Sequence, residues 1–120
     1  MSRDDRESTA RRYVECLAKK DIAGIESIYA ADATVEDPIG SKLIVGIDAI
    51  LEFYRAFAFP PIETAELTGP VRCPANAAAF PFRLTIANDA DASVVETIDI
   101  IDVFEFDKAG RVTSMKAYWG

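Results

Sequence analysis

The stretch Ser93-Val-Val-Glu-Thr-Ile-Asp-Ile-Ile-Asp-Val-Phe-Glu-Phe106 reads as one long β-strand. Val, Ile, Thr and Phe dominate it, neither Gly nor Pro interrupts it, and its period is two. On that period Ile98, Ile100, Asp102, Phe104 and Phe106 share one face, and Thr97, Asp99, Ile101, Val103 and Glu105 share the other. One carboxyl, Asp102, therefore stands among four large apolar side chains. Ionised and unpaired, it costs several kcal/mol, which predicts a pKa above the ordinary value of roughly 3.9 and a neutral acid able to donate a hydrogen bond. Asp102 is either a core residue satisfied by a backbone amide or an Arg, or a functional acid. Asp99, on the opposite face, reads as a solvated acid.

Outward from this strand, Asp107-Lys108-Ala109-Gly110 turns the chain and Arg111 to Tyr118 returns as a strand. Upstream, Asn88-Asp89-Ala90-Asp91 is a turn, and Ala77 to Ala87 alternates with Phe80, Phe82, Leu84 and Ile86 on one face. Val71 to Cys73 and Ile62 to Leu67 are further strands, separated by Thr68-Gly69-Pro70. Before Pro60-Pro61 the period becomes helical. A helix over Arg3 to Lys19 carries Ala10, Tyr13, Val14 and Leu17 on one stripe. Asp21 N-caps a short second helix with Ile22, Ile25, Ile28 and Tyr29 inward. A third, over Ile47 to Phe57, turns Ile47, Ile50, Leu51, Tyr54 and Phe57 to one side. Thr34 to Asp37, held extended before Pro38, and Leu43 to Val45 are short strand pieces in between. Helices followed by a strand meander predict an α+β fold, with a curved antiparallel sheet wrapping the helices and walling a cone-shaped pocket. With no repeat or linker in 120 residues, a single domain over residues 1–120 is expected.

The chain has no histidine, which excludes a Ser-His-Asp triad, a His-paired cysteine nucleophile and a His-rich metal site. Acid-base chemistry falls to carboxylates, tyrosines or lysines. Thirteen Lys and Arg are dispersed among 20 Asp and Glu, for a net charge of −7, which argues against nucleic acid and anionic membranes as partners. The charged start Met1-Ser-Arg-Asp-Asp-Arg-Glu7 has no secretory apolar core, so a cytoplasmic location with Cys16 and Cys73 as free thiols is expected. No EF-hand or two-metal spacing occurs among the acids, and no metal is expected.

Asp37 is the second anomaly. It shares a face with Val35, at a strand end fixed by Pro38, and so is either a rigid general base or a turn residue that accepts a backbone N–H. Tyr13, Tyr29 and Tyr54 each lie on the inward stripe of a different helix, so three hydroxyls are carried towards the core. They are scattered core tyrosines, or together with Asp102 they form a polar network in an apolar cavity, as an oxyanion site requires. The aromatic surplus around them, Phe53, Phe57, Phe80, Phe82 and Trp119 with Met115, suits core packing or a flat apolar ligand.

Over nearly its whole length the chain resembles the Δ5-3-ketosteroid isomerases of the NTF2-like fold. The densest block is Tyr29-Ala-Ala-Asp-Ala-Thr-Val-Glu-Asp-Pro-Ile-Gly40, followed by Glu52-Phe-Tyr-Arg55, Leu67-Thr-Gly-Pro-Val-Arg72, Phe80-Pro-Phe-Arg83 and Ile98-Asp-Ile-Ile-Asp-Val-Phe-Glu-Phe-Asp107. The resemblance implies a cone in which a curved mixed, mostly antiparallel sheet wraps three helices from the N-terminal half. It implies Asp37 as general base, Tyr13 and protonated Asp102 as the oxyanion hole, and Tyr54 and Tyr29 as a supporting hydrogen-bond chain. Phe53, Phe82, Met115 and Trp119 match steroid-lining positions. This family is itself the usual illustration of a carboxylic acid kept neutral at pH 7, so Asp102's role comes from the resemblance, whereas its apolar face comes from periodicity. A steroid substrate, no cofactor and a homodimer packed through its sheets are also implied. The competing expectations are an NTF2-like hydrolase or dehydratase on another apolar substrate, and a non-catalytic steroid or lipid carrier.

Overall fold

The computed structural model describes residues 1–88, 90–91, 93 and 95–120. Helix α1 (Arg3–Lys19) and helix α2 (Ile22–Ile28) lead into strand β1 (Tyr29–Glu36), then β2 (Ile44–Val45) and helix α3 (Ile47–Phe53). The remainder is β3 (Ile62–Leu67), β4 (Ala77–Ala87), β5 (Val95–Phe106) and β6 (Val112–Tyr118). Six strands form one sheet in the order β2-β1-β6-β5-β4-β3. The β1–β6 pair is parallel and every other neighbour is antiparallel. The three helices cover one face of this sheet as the α+β cone expected from the pattern. No described helix is long and apolar enough to cross a membrane.

Helix α1 begins at a capping box, in which Ser2 Oγ accepts from the Asp5 N–H and the Asp5 carboxylate accepts from the Ser2 N–H. It ends at Lys20, whose left-handed backbone lets its N–H bond the last carbonyls. Its inward stripe of Ala10, Tyr13, Val14 and Leu17 is buried, as the spacing predicts. The Asp21 cap of α2 is also present, its carboxylate accepting from the Gly24 N–H at 3.0 Å. Across the sheet the period-two reading holds: Ile100, Asp102, Phe104 and Phe106 are buried, while Thr97, Asp99, Ile101 and Glu105 are exposed. Phe104 is the hub, its ring edge-on at 5.0 Å to both Tyr13 and Phe80. Cys16 and Cys73 are free thiols.

Three expectations are corrected. Tyr29 is not on the α2 stripe; it caps that helix and opens β1, which starts well before Thr34. The alanines that follow favour helix, but pairing with β6 across a register shift overrides that preference. The third helix is not regular to Phe57. Beyond Phe53 it widens into a π-helical turn, Tyr54–Ala58, closed by the Phe59 N–H on the Tyr54 carbonyl at 2.9 Å. The extra residue in that turn rotates Phe57 outward, leaving it 72% exposed, and sends Phe59 into the core instead. Val71 to Cys73 is no strand; only Arg72 bridges to Ala79, because Pro70 and Pro74 on either side cannot donate to a ladder. Asp89 in the expected 88–91 turn and Val94 in the expected 93–106 strand lie outside the described residues.

Candidate active site

Three phenols from three elements meet inside the core. Tyr13 comes from the middle of α1, Tyr54 from the point where α3 widens, and Tyr29 from the first residue of β1. The Tyr54 hydroxyl lies 2.7 Å from that of Tyr13 and 2.8 Å from that of Tyr29. Each phenol has one proton, so two bonds among three hydroxyls leave one proton unused. With Tyr29 donating to Tyr54 and Tyr54 to Tyr13, the free proton is that of Tyr13. Burial pushes all three pKa values well up, so the phenols stay neutral; the bond from Tyr54 works the other way at Tyr13.

Asp102 lies between Ile100 and Phe104 on β5, opposite Phe80 of β4 and Ala117 of β6, and is 2% exposed. Its Oδ1 is buried without a hydrogen-bond partner among the described residues, so neither an Arg nor a backbone amide satisfies that atom. Burial drives its pKa well above the carboxylate range, the charge on Asp37 pushes it further, and the nearby Tyr13 hydroxyl pulls against both. A neutral Asp102 carries one O–H to give.

Asp37 follows the end of β1, joined to Pro38 by a cis peptide bond. The loop is stapled on both sides of it: the Glu36 carboxylate accepts from the Gly40 N–H at 2.7 Å, and the Ile39 N–H donates to the Ala117 carbonyl at 2.9 Å. Gly40 has φ +95, a backbone that only Gly adopts without strain. It is thus Glu36, not Asp37, that accepts a backbone N–H of the turn. Asp37 Oδ1 instead accepts from the Trp119 indole N–H at 2.7 Å. Partial burial raises the Asp37 pKa and the indole bond lowers it.

Asp37 and Trp119 form the polar edge of a cleft of about 240 Å³ whose other walls include Phe53, Leu84, Ile98 and Ile100. Phe53 and Trp119 therefore line it, as do Asp37 and the outward-turned Phe57. Tyr13 and Asp102 are buried and lie outside that lining. Phe82 and Met115 are core residues here, Phe82 stacked on Phe80 at 5.8 Å and Met115 between Phe104 and Val35 in the sheet. Leu84, Ile86, Ile98 and Ile100 line the cleft without having been singled out; they share the faces of Phe82 and Asp102, so period two was the signal. Among the described residues no group of three or more Cys, Asp and Glu is arranged to hold a metal ion.

Taken together, a helix-filled cone with a cleft at its open end and two carboxyls in unlike surroundings define the class. The chain belongs to the SnoaL-like domain family, whose model matches residues 10–115. It is similar to the protein named Steroid Delta-isomerase from Nocardioides simplex, 44% identical over 108 residues that make up 90% of this chain and 84% of that protein. The resemblance drawn from the sequence motifs is borne out at this level.

Proposed function

We propose that this chain is a steroid Δ-isomerase that moves the double bond of a 3-oxo-Δ5-steroid into conjugation with the ketone, without a cofactor. The observation that carries this is the contrast between its two carboxyls: Asp102 is buried with its pKa driven well up, while Asp37 stands at the cleft edge on an indole N–H. Likeness to the Nocardioides simplex protein supports the same reading. Asp37, ionised, takes a proton from the carbon between the ketone and the isolated alkene. The electron pair moves onto the ketone oxygen, giving a dienolate, to which Tyr13 and neutral Asp102 donate hydrogen bonds. Protonated Asp37 returns the proton to the far end of the dienolate, and the conjugated enone leaves. Tyr54 and Tyr29 strengthen the Tyr13 donor by donating along the chain. Tyr13 and Asp102 lie outside the present lining, so the cleft deepens as the ketone enters.

Phe53 and Trp119 contact the steroid, and the roles of Phe82 and Met115 are to shape the floor behind it. The active form is a homodimer, supported by Ile101 and Tyr118, register neighbours on the outer sheet face that are both about half exposed. The test is turnover of an unconjugated 3-ketosteroid by purified protein with chelator and no added cofactor, followed as new enone absorbance. A folded sample that produces no enone sinks the proposal; one that binds the steroid tightly without turnover is a carrier.

A further inference from the structure

A second, larger groove of about 450 Å³ lies beside the cleft, between the outer side of α3 and the β2 edge of the sheet. Leu43, Ile44 and Val45 form one wall, and Ala49, Phe53 and Phe57 the other. Leu43, Val45 and Phe57 are 47%, 61% and 72% exposed. A single exposed apolar side chain needs no explanation, but three gathered around one concavity mark a surface that takes a ligand. Phe53 and Phe57 line both the groove and the cleft, so the two cavities meet at a common wall. The cleft at about 240 Å³ is below the roughly 300–1,000 Å³ of sites that enclose a whole small ligand. With the ketone at Tyr13 and Asp102, beyond the present lining, the far ring of a four-ring substrate points to the Phe53–Phe57 wall that the cleft shares with the groove.

We infer that this groove is a subsite for a hydrocarbon side chain on the ring farthest from the ketone, so that the substrate class is Δ5-3-ketosteroids bearing an alkyl tail. The inference rests on the proposed isomerase function. Chemistry favours an uncharged tail: the charged lining residues, Lys42 and Glu52, are exposed and opposite in sign, so they select neither an anion nor a cation. Each methylene brought from water into the groove is worth about fourfold in affinity, and a branched alkyl tail carries several.

The test compares two Δ5-3-ketosteroids that differ only in that tail, with wild type and with Val45→Glu, which puts a charge into the groove at an exposed position away from the cleft. Wild type is expected to show a KM at least about tenfold lower for the tailed substrate. Val45→Glu removes that advantage and leaves kcat/KM for the tailless substrate within about twofold. Equal KM values in wild type, or an equal effect of Val45→Glu on both substrates, overturn the inference. So does a Val45→Glu that splits an oligomer on size exclusion while the two substrates stay equivalent, since the occupant is then protein. Should neither substrate turn over, the isomerase proposal fails by itself. The groove is then read from quenching of Trp119, the one tryptophan, by the two conjugated ketones: tighter binding of the tailed ketone that Val45→Glu abolishes supports the subsite, and equal binding overturns it.

Discussion

Asp102→Asn replaces the buried carboxyl by a neutral amide of nearly the same shape, and its effect on stability has a sign fixed by the structure. Asp102 is 2% exposed, its Oδ1 has no partner among the described residues, and burial with the Asp37 charge raises its folded-state pKa well above the ordinary value. Its contribution to stability is complete below the unfolded-state pKa of roughly 3.9 and declines as pH rises, until it is gone above the folded-state pKa. Over that window the unfolded chain has released a proton that the folded chain still holds, so wild type loses about 1.4 kcal/mol per pH unit from this one group. The variant has no such proton. Other titrating groups are common to both proteins and cancel in the difference. Urea unfolding of both, followed by Trp119 fluorescence at steps upward from about pH 4.5, is expected to give a stability difference that grows in favour of the variant as pH rises towards the folded-state pKa and levels off above it. A difference that stays level with pH would refute the claim that Asp102 is held protonated. Turnover gives the counterpart: Asn keeps an N–H donor, so its loss is smaller than the order of 10²–10³ expected for Asp102→Ala.

Asp37→Asn removes the proton carrier and is expected to lower kcat by on the order of 10²–10⁴ with steroid binding retained, measured by enone formation and fluorescence titration; wild-type rates would remove Asp37 from the mechanism. Tyr54→Phe deletes both the 2.7 Å and 2.8 Å bonds and leaves two buried phenols short of a partner, for an expected loss of about 1–3 kcal/mol in urea unfolding. A stability equal to wild type would mean that the chain contributes nothing. Trp119→Phe keeps an apolar ring and removes the N–H that lowers the Asp37 pKa. Because Asp37 acts as a base only when ionised, the rising limb of the pH–rate profile should move to higher pH, and an unmoved limb would show that the bond does not tune it.

Much of the fold was legible because its signals are local. Alternation along Ala77–Ala87 and Ile98–Phe106 follows from strand geometry, and the stripe Ala10, Tyr13, Val14, Leu17 follows from helix geometry, whatever lies across the core. Tyr29 and Phe57 escaped for a related reason. A strand start under a run of alanines is decided by its pairing with β6, and a single extra residue in a π-helical turn rotates every later side chain without leaving a mark in the hydrophobic pattern. Phe53 and Trp119 line the cleft while Phe82 and Met115 are buried outside its lining, because alternation tells which face a residue takes but not its depth.

By itself the sequence determined that any proton transfer must use groups other than histidine, that Asp102 faces an apolar layer, and that Asp37 ends a strand against a proline. Only the tertiary structure decided which groups meet. The three phenols join through Tyr54, Trp119 reaches Asp37 from 82 residues away, and Asp102 Oδ1 is left without a partner among the described residues. The physical reason is range: backbone periodicity fixes the direction of a side chain from its nearest neighbours, whereas a hydrogen bond between distant segments exists only once the packing of the whole core has set their separation to within a few tenths of an ångström.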